Sequence, residues 1–164
     1  MDIKERAARV RLAVFDVDGV LTDGRLYYGA GGEELKVFHV HDGFGLKRLQ
    51  AAGVILAIIS GRDSAAVTRR MQDLGVEHVF QGDEHKLPIF ERLLKQLSLT
   101  PEQCACVGDD LPDLPLLQRA GLAVAVANAQ PAIKQAAHHV TVARGGHGAA
   151  REVCDLILAT QAPT

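Results

Sequence analysis

Residues 12–24 read Leu-Ala-Val-Phe-Asp-Val-Asp-Gly-Val-Leu-Thr-Asp-Gly. An apolar run ends in two acids, Asp16 and Asp18, and then a glycine. Leu12–Val17 is short and has no polar face, as expected of a strand covered by helices on both sides. Three more runs have the same character: Val54–Ile59, Cys104–Val107 and Leu122–Val126. Helical patterns lie between them. Gly45–Ala52 leads to Gly53. Asp63–Leu74 carries Val67, Met71 and Leu74 at helical spacing and ends at Gly75. Leu87–Leu97 precedes a turn at Thr100-Pro101, Pro131 opens a further helix, and Ala149–Thr160 closes the chain. His78–Phe80 and His138–Val142 read as short strands. This alternation predicts βαβ units and an α/β, doubly wound parallel sheet. One segment departs from it. Leu26–Val40 reads as a β-hairpin around Gly29-Ala30-Gly31-Gly32.

A length of 164 residues is read as one domain, with its core at about 10–160 and the hairpin at about 26–40. Hydrophobic residues make up 48% and charged residues 23%, an ordinary globular balance. With a formal net charge of -2, no basic excess draws the chain to nucleic acid or to an anionic membrane. Its apolar runs are too short to span a bilayer. Met1–Arg11 is charged and lacks the apolar core of a secretory signal, so a cytoplasmic location is the default expectation. The three cysteines, Cys104, Cys106 and Cys154, show no metal-binding spacing and suit a reducing compartment. The residues after about Thr160 are expected to fray.

Four strand ends carry the chemistry. Ionised carboxylates resist burial unless paired or bound to metal, so Asp16 and Asp18 at a buried strand's end imply a use. A helix cap would account for one of them only. Carboxyl ends of parallel strands are where such sheets place ligands. Ser60-Gly61-Arg62, at the end of the second strand, offers a hydroxyl, a glycine N–H and a helix start: a phosphate cradle, or a plain turn. Gly108-Asp109-Asp110-Leu111-Pro112-Asp113 places three acids within five positions, as a divalent-cation site requires. Lys86 follows a polar loop and alone is an ordinary surface lysine. In a doubly wound sheet all four segments fall on one edge and converge.

In that order the residues resemble the four motifs of the haloacid dehalogenase superfamily: Asp16 to Thr22 the first, Ser60 the second, Lys86 the third, and Gly108 to Asp113 the fourth. The resemblance spans about Leu12 to Leu158 and implies a Rossmann-like phosphatase fold. It implies Mg2+ held by the Asp16 and Asp109 carboxylates and the Asp18 backbone carbonyl, with Asp110 or Asp113 around it. Asp16 would attack phosphorus, Asp18 would move the proton, and Ser60, Gly61 and Lys86 would hold the phosphate. Neither Asp18–Ser60 nor Arg62–Lys86 has room for a cap domain.

Among capless members, Asp16–Gly24, Gly32–Lys36, Phe38–Gly43 and Gly145–Leu156 resemble the 3-deoxy-D-manno-octulosonate 8-phosphate phosphatase family. That likeness implies a small sugar-acid phosphate substrate in lipopolysaccharide synthesis. It also implies a homotetramer whose C-terminal segment reaches a neighbouring site. Sugar contacts would come from Arg62, Arg70, Lys47, His39, His41, Asp42 and Gly43. The family often carries Arg where this chain has His41, and histidine lacks arginine's permanent bidentate charge. His39 and His41 at alternate strand positions could instead ligate zinc, but no third ligand is evident. The alternatives are a nine-carbon sugar-acid 9-phosphate phosphatase, a phosphoacceptor receiver domain, and a catalytically silent oligomer.

Overall fold

The computed structural model describes residues 1–161, so the end of the expected frayed segment, 162–164, lies outside the described residues. Its elements run α1 (Ile3–Ala8), β1 (Leu12–Phe15), β2 (Tyr27–Tyr28), β3 (Glu34–Leu35), α2 (Val40–Ala51), β4 (Ile55–Ile59), α3 (Ala65–Leu74), β5 (His78–Phe80) and α4 (Lys86–Leu97). They continue with β6 (Cys104–Gly108), α5 (Leu114–Arg119), β7 (Leu122–Ala125), α6 (Pro131–Ala136), β8 (His139–Val140) and α7 (Ala149–Leu158).

Six strands form one parallel sheet in the order β5-β4-β1-β6-β7-β8. β1 lies at its centre, pairing Leu12 with both Ile55 and Cys104. All four β1 residues are buried, which explains the lack of a polar face in this stretch. The chain steps from β1 to β4 and β5, then crosses back to β6 and outward to β8. Right-handed crossovers therefore put α2 and α3 on one face and α4, α5 and α6 on the other. Contacts agree with this division: α2 touches α3 and α7, while α5 touches α4 and α6. The strand order reverses beside β1, where this architecture opens its crevice. All three cysteines are buried; burial pushes the thiols of Cys104 and Cys154 up to about 12, so they act as small apolar side chains.

Several elements differ from the sequence reading. The hairpin is paired only at Tyr27 with Leu35 and at Tyr28 with Glu34. His39 and His41 are not on a strand: His39 is the N-cap of α2, and its Nδ1 accepts the His41 N–H at 3.0 Å. That cap starts α2 at Val40 rather than Gly45. The sequence reading omitted α1, although Asp2 and Glu5 close a capping box. It also omitted α5, in which Pro115 occupies the first turn, where its missing N–H costs nothing.

Candidate active site

The loops after β1, β4, β5 and β6 line one crevice of about 280 Å³, which includes Asp16, Asp18, Ser60, Gly61, Arg62, Lys86, Asp109, Asp110 and Asp113. Its floor begins with a buried lysine. The Lys86 side chain, at the start of α4, is 2% exposed. Its ammonium donates to Asp16 Oδ1 at 2.9 Å and to Asp113 Oδ1 at 2.6 Å. Burial works against that charge, but the two carboxylates outweigh it and raise the Lys86 pKa. The other Asp113 oxygen accepts the Asp109 N–H at 3.0 Å. Asp113 thus joins the third motif to the fourth. Gly108 has no Cβ because one there would strike the Asp113 side chain.

Carboxylate oxygens of Asp16, Asp109 and Asp113 lie within 4.8 Å of one another. Both oxygens of Asp113 are already engaged, so Asp16 and Asp109 offer the open donors. Burial pushes the Asp16 pKa well up, with Asp113 adding to it; burial and Asp113 also push Asp109 up to about 6. One lysine does not offset three crowded acids. The all-oxygen donor set and its uncompensated charge fit a hard divalent cation. Gly19 makes room for the Asp109 side chain: at φ +86°, a Cβ there would overlap the Asp109 carboxylate. Asp110 is exposed and accepts the Leu111 N–H at 2.8 Å, capping the next turn. Ser60 is buried at the end of β4, its N–H donating to Phe80 O at 2.8 Å.

The hairpin supplies a second set of charges that the sequence reading did not assign. Lys36 Nζ donates to Asp18 Oδ1 at 2.6 Å and lies 2.7 Å from Glu34 Oε1. Arg62 donates to Glu34 Oε2 at 3.0 Å and to the Tyr28 hydroxyl at 3.3 Å, with its Nε 3.8 Å from Asp18 Oδ2. The readable signal was Glu34 and Lys36 two residues apart, as on one side of an extended segment. Asn128 was missed as well. Its amide donates to Gly19 O at 2.9 Å and accepts the Gly145 N–H at 2.7 Å. It ties the loop after β1 to the glycine-rich loop before α7, and a Cβ on Gly145 would overlap the Gly19 backbone.

The remaining expected residues do not line this crevice within one chain. His39, Asp42, Gly43 and Arg70 line a separate small pocket with Phe38 and Leu46, and Lys47 is exposed on α2. Asp42 has a structural role: 3% exposed, it accepts the Arg151 N–H at 2.9 Å and so caps α7, whose own N-cap residue is Gly148. Among the described residues, the groups placed to share a metal are the three acids, not the histidine pair.

Fold and site together define a hydrolase of the haloacid dehalogenase type without a cap. A family model described as haloacid dehalogenase-like hydrolase matches residues 78–153. The 3-deoxy-D-manno-octulosonate 8-phosphate phosphatase of Yersinia pestis is 48% identical over 160 residues, 98% of this chain and 86% of the relative. A solved phosphatase from Pseudomonas syringae, described as a probable YrbI family member, superposes with a TM-score of 0.96 at 55% identity, covering 97% of this chain and 90% of that one. The 3-deoxy-D-manno-octulosonate 8-phosphate phosphatase of Moraxella catarrhalis, solved with a magnesium ion, a phosphate ion and KDO, gives 0.95 at 44% identity, covering 97% and 91%. The chain belongs to the 3-deoxy-D-manno-octulosonate 8-phosphate phosphatase family.

Proposed function

We propose that this chain hydrolyses 3-deoxy-D-manno-octulosonate 8-phosphate to the free sugar acid and phosphate, as a step of lipopolysaccharide synthesis. The observation that carries the reading is the floor of the crevice. Asp16 and Asp109 present open carboxylate oxygens beside a buried lysine, in a crevice of about 280 Å³. Relatives of the same fold bear that activity in their names, and one holds magnesium, phosphate and the sugar acid.

Asp16 attacks phosphorus and forms an aspartyl-phosphate. Magnesium, bound by Asp16, Asp109 and the Asp18 backbone carbonyl, would supply positive charge to a phosphoryl oxygen. Lys86 has three N–H donors, two of which serve Asp16 and Asp113, so the third can hold a phosphoryl oxygen. Ser60 and Gly61 bind another, and these donors stabilise charge as it spreads in the transition state. Asp18 gives its proton to the leaving alkoxide, then takes one from the water that cleaves the acyl phosphate.

The reading treats residues 1–164 as one phosphatase domain in the cytoplasm. No helix among the described residues is long and apolar enough to cross a membrane. It also takes the chain as a homotetramer. Tyr28, Leu35 and Val37 leave large apolar surface on the hairpin, which a second copy would cover. Arg62, which lines the crevice, and Arg70, Lys47, His39, His41, Asp42 and Gly43, which do not line it within one chain, would contact the sugar acid. The C-terminal segment would close over a neighbour's site. A panel of sugar-acid phosphates with magnesium tests the substrate: the eight-carbon ester should turn over fastest. Equal rates with N-acylneuraminate 9-phosphate would favour the nine-carbon alternative. No phosphate release from any ester would leave a receiver-like or silent oligomer.

A further inference from the structure

Asp18 is asked to do two things in sequence: donate a proton to an alkoxide, then accept one from water. Both require one of its oxygens to face the reacting groups in a fixed orientation. The backbone of the β1 loop does not settle which oxygen that is. The hairpin does. Lys36 reaches back from β3 and donates to Asp18 Oδ1 at 2.6 Å. Its side chain is 1% exposed, so it has no free face toward a substrate in the crevice. Glu34 Oε1, 2.7 Å away, holds the ammonium from the other side, and Arg62 ties Glu34 in turn, its Nε standing farther off, 3.8 Å from Asp18 Oδ2.

We infer that Lys36 is the positioning residue for the acid–base step, holding Asp18 by Oδ1 so that Oδ2 carries the proton to the leaving oxygen and receives it from water. The inference rests on the reading of Asp18 as acid and base. Atoms balance in both halves. The P–O bond of the ester breaks as the Asp16–P bond forms, and the alkoxide takes the Oδ2 proton. Water then gives a proton back to Oδ2 as its oxygen bonds phosphorus and Asp16 departs.

Two leaving groups separate this role from a merely structural one. An alkyl phosphate needs the proton, whereas p-nitrophenyl phosphate releases its phenolate without one. In the full-length Lys36→Met protein with magnesium, first-turnover cleavage of the alkyl phosphate should fall about 10- to 100-fold. First-turnover phenolate release should stay at the wild-type rate, followed by a slowed steady state as phospho-enzyme accumulates. In an Asp18→Asn background, Lys36→Met should cost nothing further, since it acts through the missing group. Glu34→Gln, which leaves Lys36 in place with one acid fewer, should give the same selective pattern at about threefold and serves if Lys36→Met does not fold. An equal first-turnover fall on both esters, an added loss in the Asp18→Asn background, or unchanged alkyl phosphate turnover would overturn the inference. If Asp18→Asn itself turned over alkyl phosphate at the wild-type rate, the acid–base reading would fail as well. A slow Asp18→Asn beside an unaffected Lys36→Met would remove the Lys36 role alone.

Discussion

Asp16 and Asp18 are neighbours in sequence but are gripped by different parts of the molecule. Asp16 is held from below, by Lys86 at the head of α4, which is braced in turn by Asp113 after the buried strand β6. Asp18 is held from above, by Lys36 on a hairpin whose ladder is two residue pairs long and whose apolar side chains are largely exposed. The floor is fixed by packing that exists for the fold's own sake. The roof is fixed by a few charges, with little buried area behind it. A rigid floor suits charge stabilisation, which needs donors in place before the reaction. A lightly held roof suits a surface that substrate, or a second copy, must pass or cover.

That contrast ranks the expected effects. Asp16→Asn should lower turnover more than about a thousandfold while leaving the fold intact, because it removes the proposed nucleophile. Residual turnover near wild type would place the nucleophile elsewhere. Lys86→Met should lower turnover about a hundredfold or more. It should also cost about 3 kcal/mol in urea unfolding, at the low end for a broken buried pair because Asp16 and Asp113 can take up a proton instead. Gly19→Ala strains a left-handed position and pushes on Asp109; about a tenfold weaker magnesium requirement curve is expected, with turnover largely recovered at saturating metal.

The floor also sets a pH dependence. Asp109 is raised to about 6 in the fold from an ordinary value of 3.8. A carboxyl with a raised folded value contributes stability below its unfolded value and loses it as pH rises through about 6. With metal removed by EDTA, the stability of wild type relative to Asp109→Asn should therefore fall as pH rises from about 4 to 7, and magnesium should reverse the fall at pH 7. A flat difference across that range would mean the three acids do not crowd in solution. The smallest effect belongs to the roof's outermost contact. Tyr28→Phe removes an exposed hydrogen bond to Arg62 and should change turnover by no more than about twofold.

The two regions were unequally legible in the sequence. Asp16, Ser60, Lys86 and Asp109 could be placed together because apolar strand runs announce parallel strands, and parallel strands send their carboxyl ends to one edge. Lys36 could not, because a lysine in a glycine-rich hairpin is indistinguishable from a solvated one until the turn's direction is known. Asp42 was only partly legible for a related reason: the long-range approach of α7 gives one of its oxygens a helix-capping role that no local pattern records. Gly45 permits that approach, its absent side chain lying against Cys154 Cβ.

By itself the sequence determined the sheet, its strand direction and the identity of the acids and lysine at its edge. Burial pattern and strand-end chemistry are local properties, written within a few residues. Only the tertiary structure decided which oxygen of Asp18 is tethered, that Asp113 bridges lysine to loop, and which residues leave the crevice of their own chain. Those depend on contacts between segments tens of residues apart, where a displacement of an ångström changes the partner and no periodicity records the outcome.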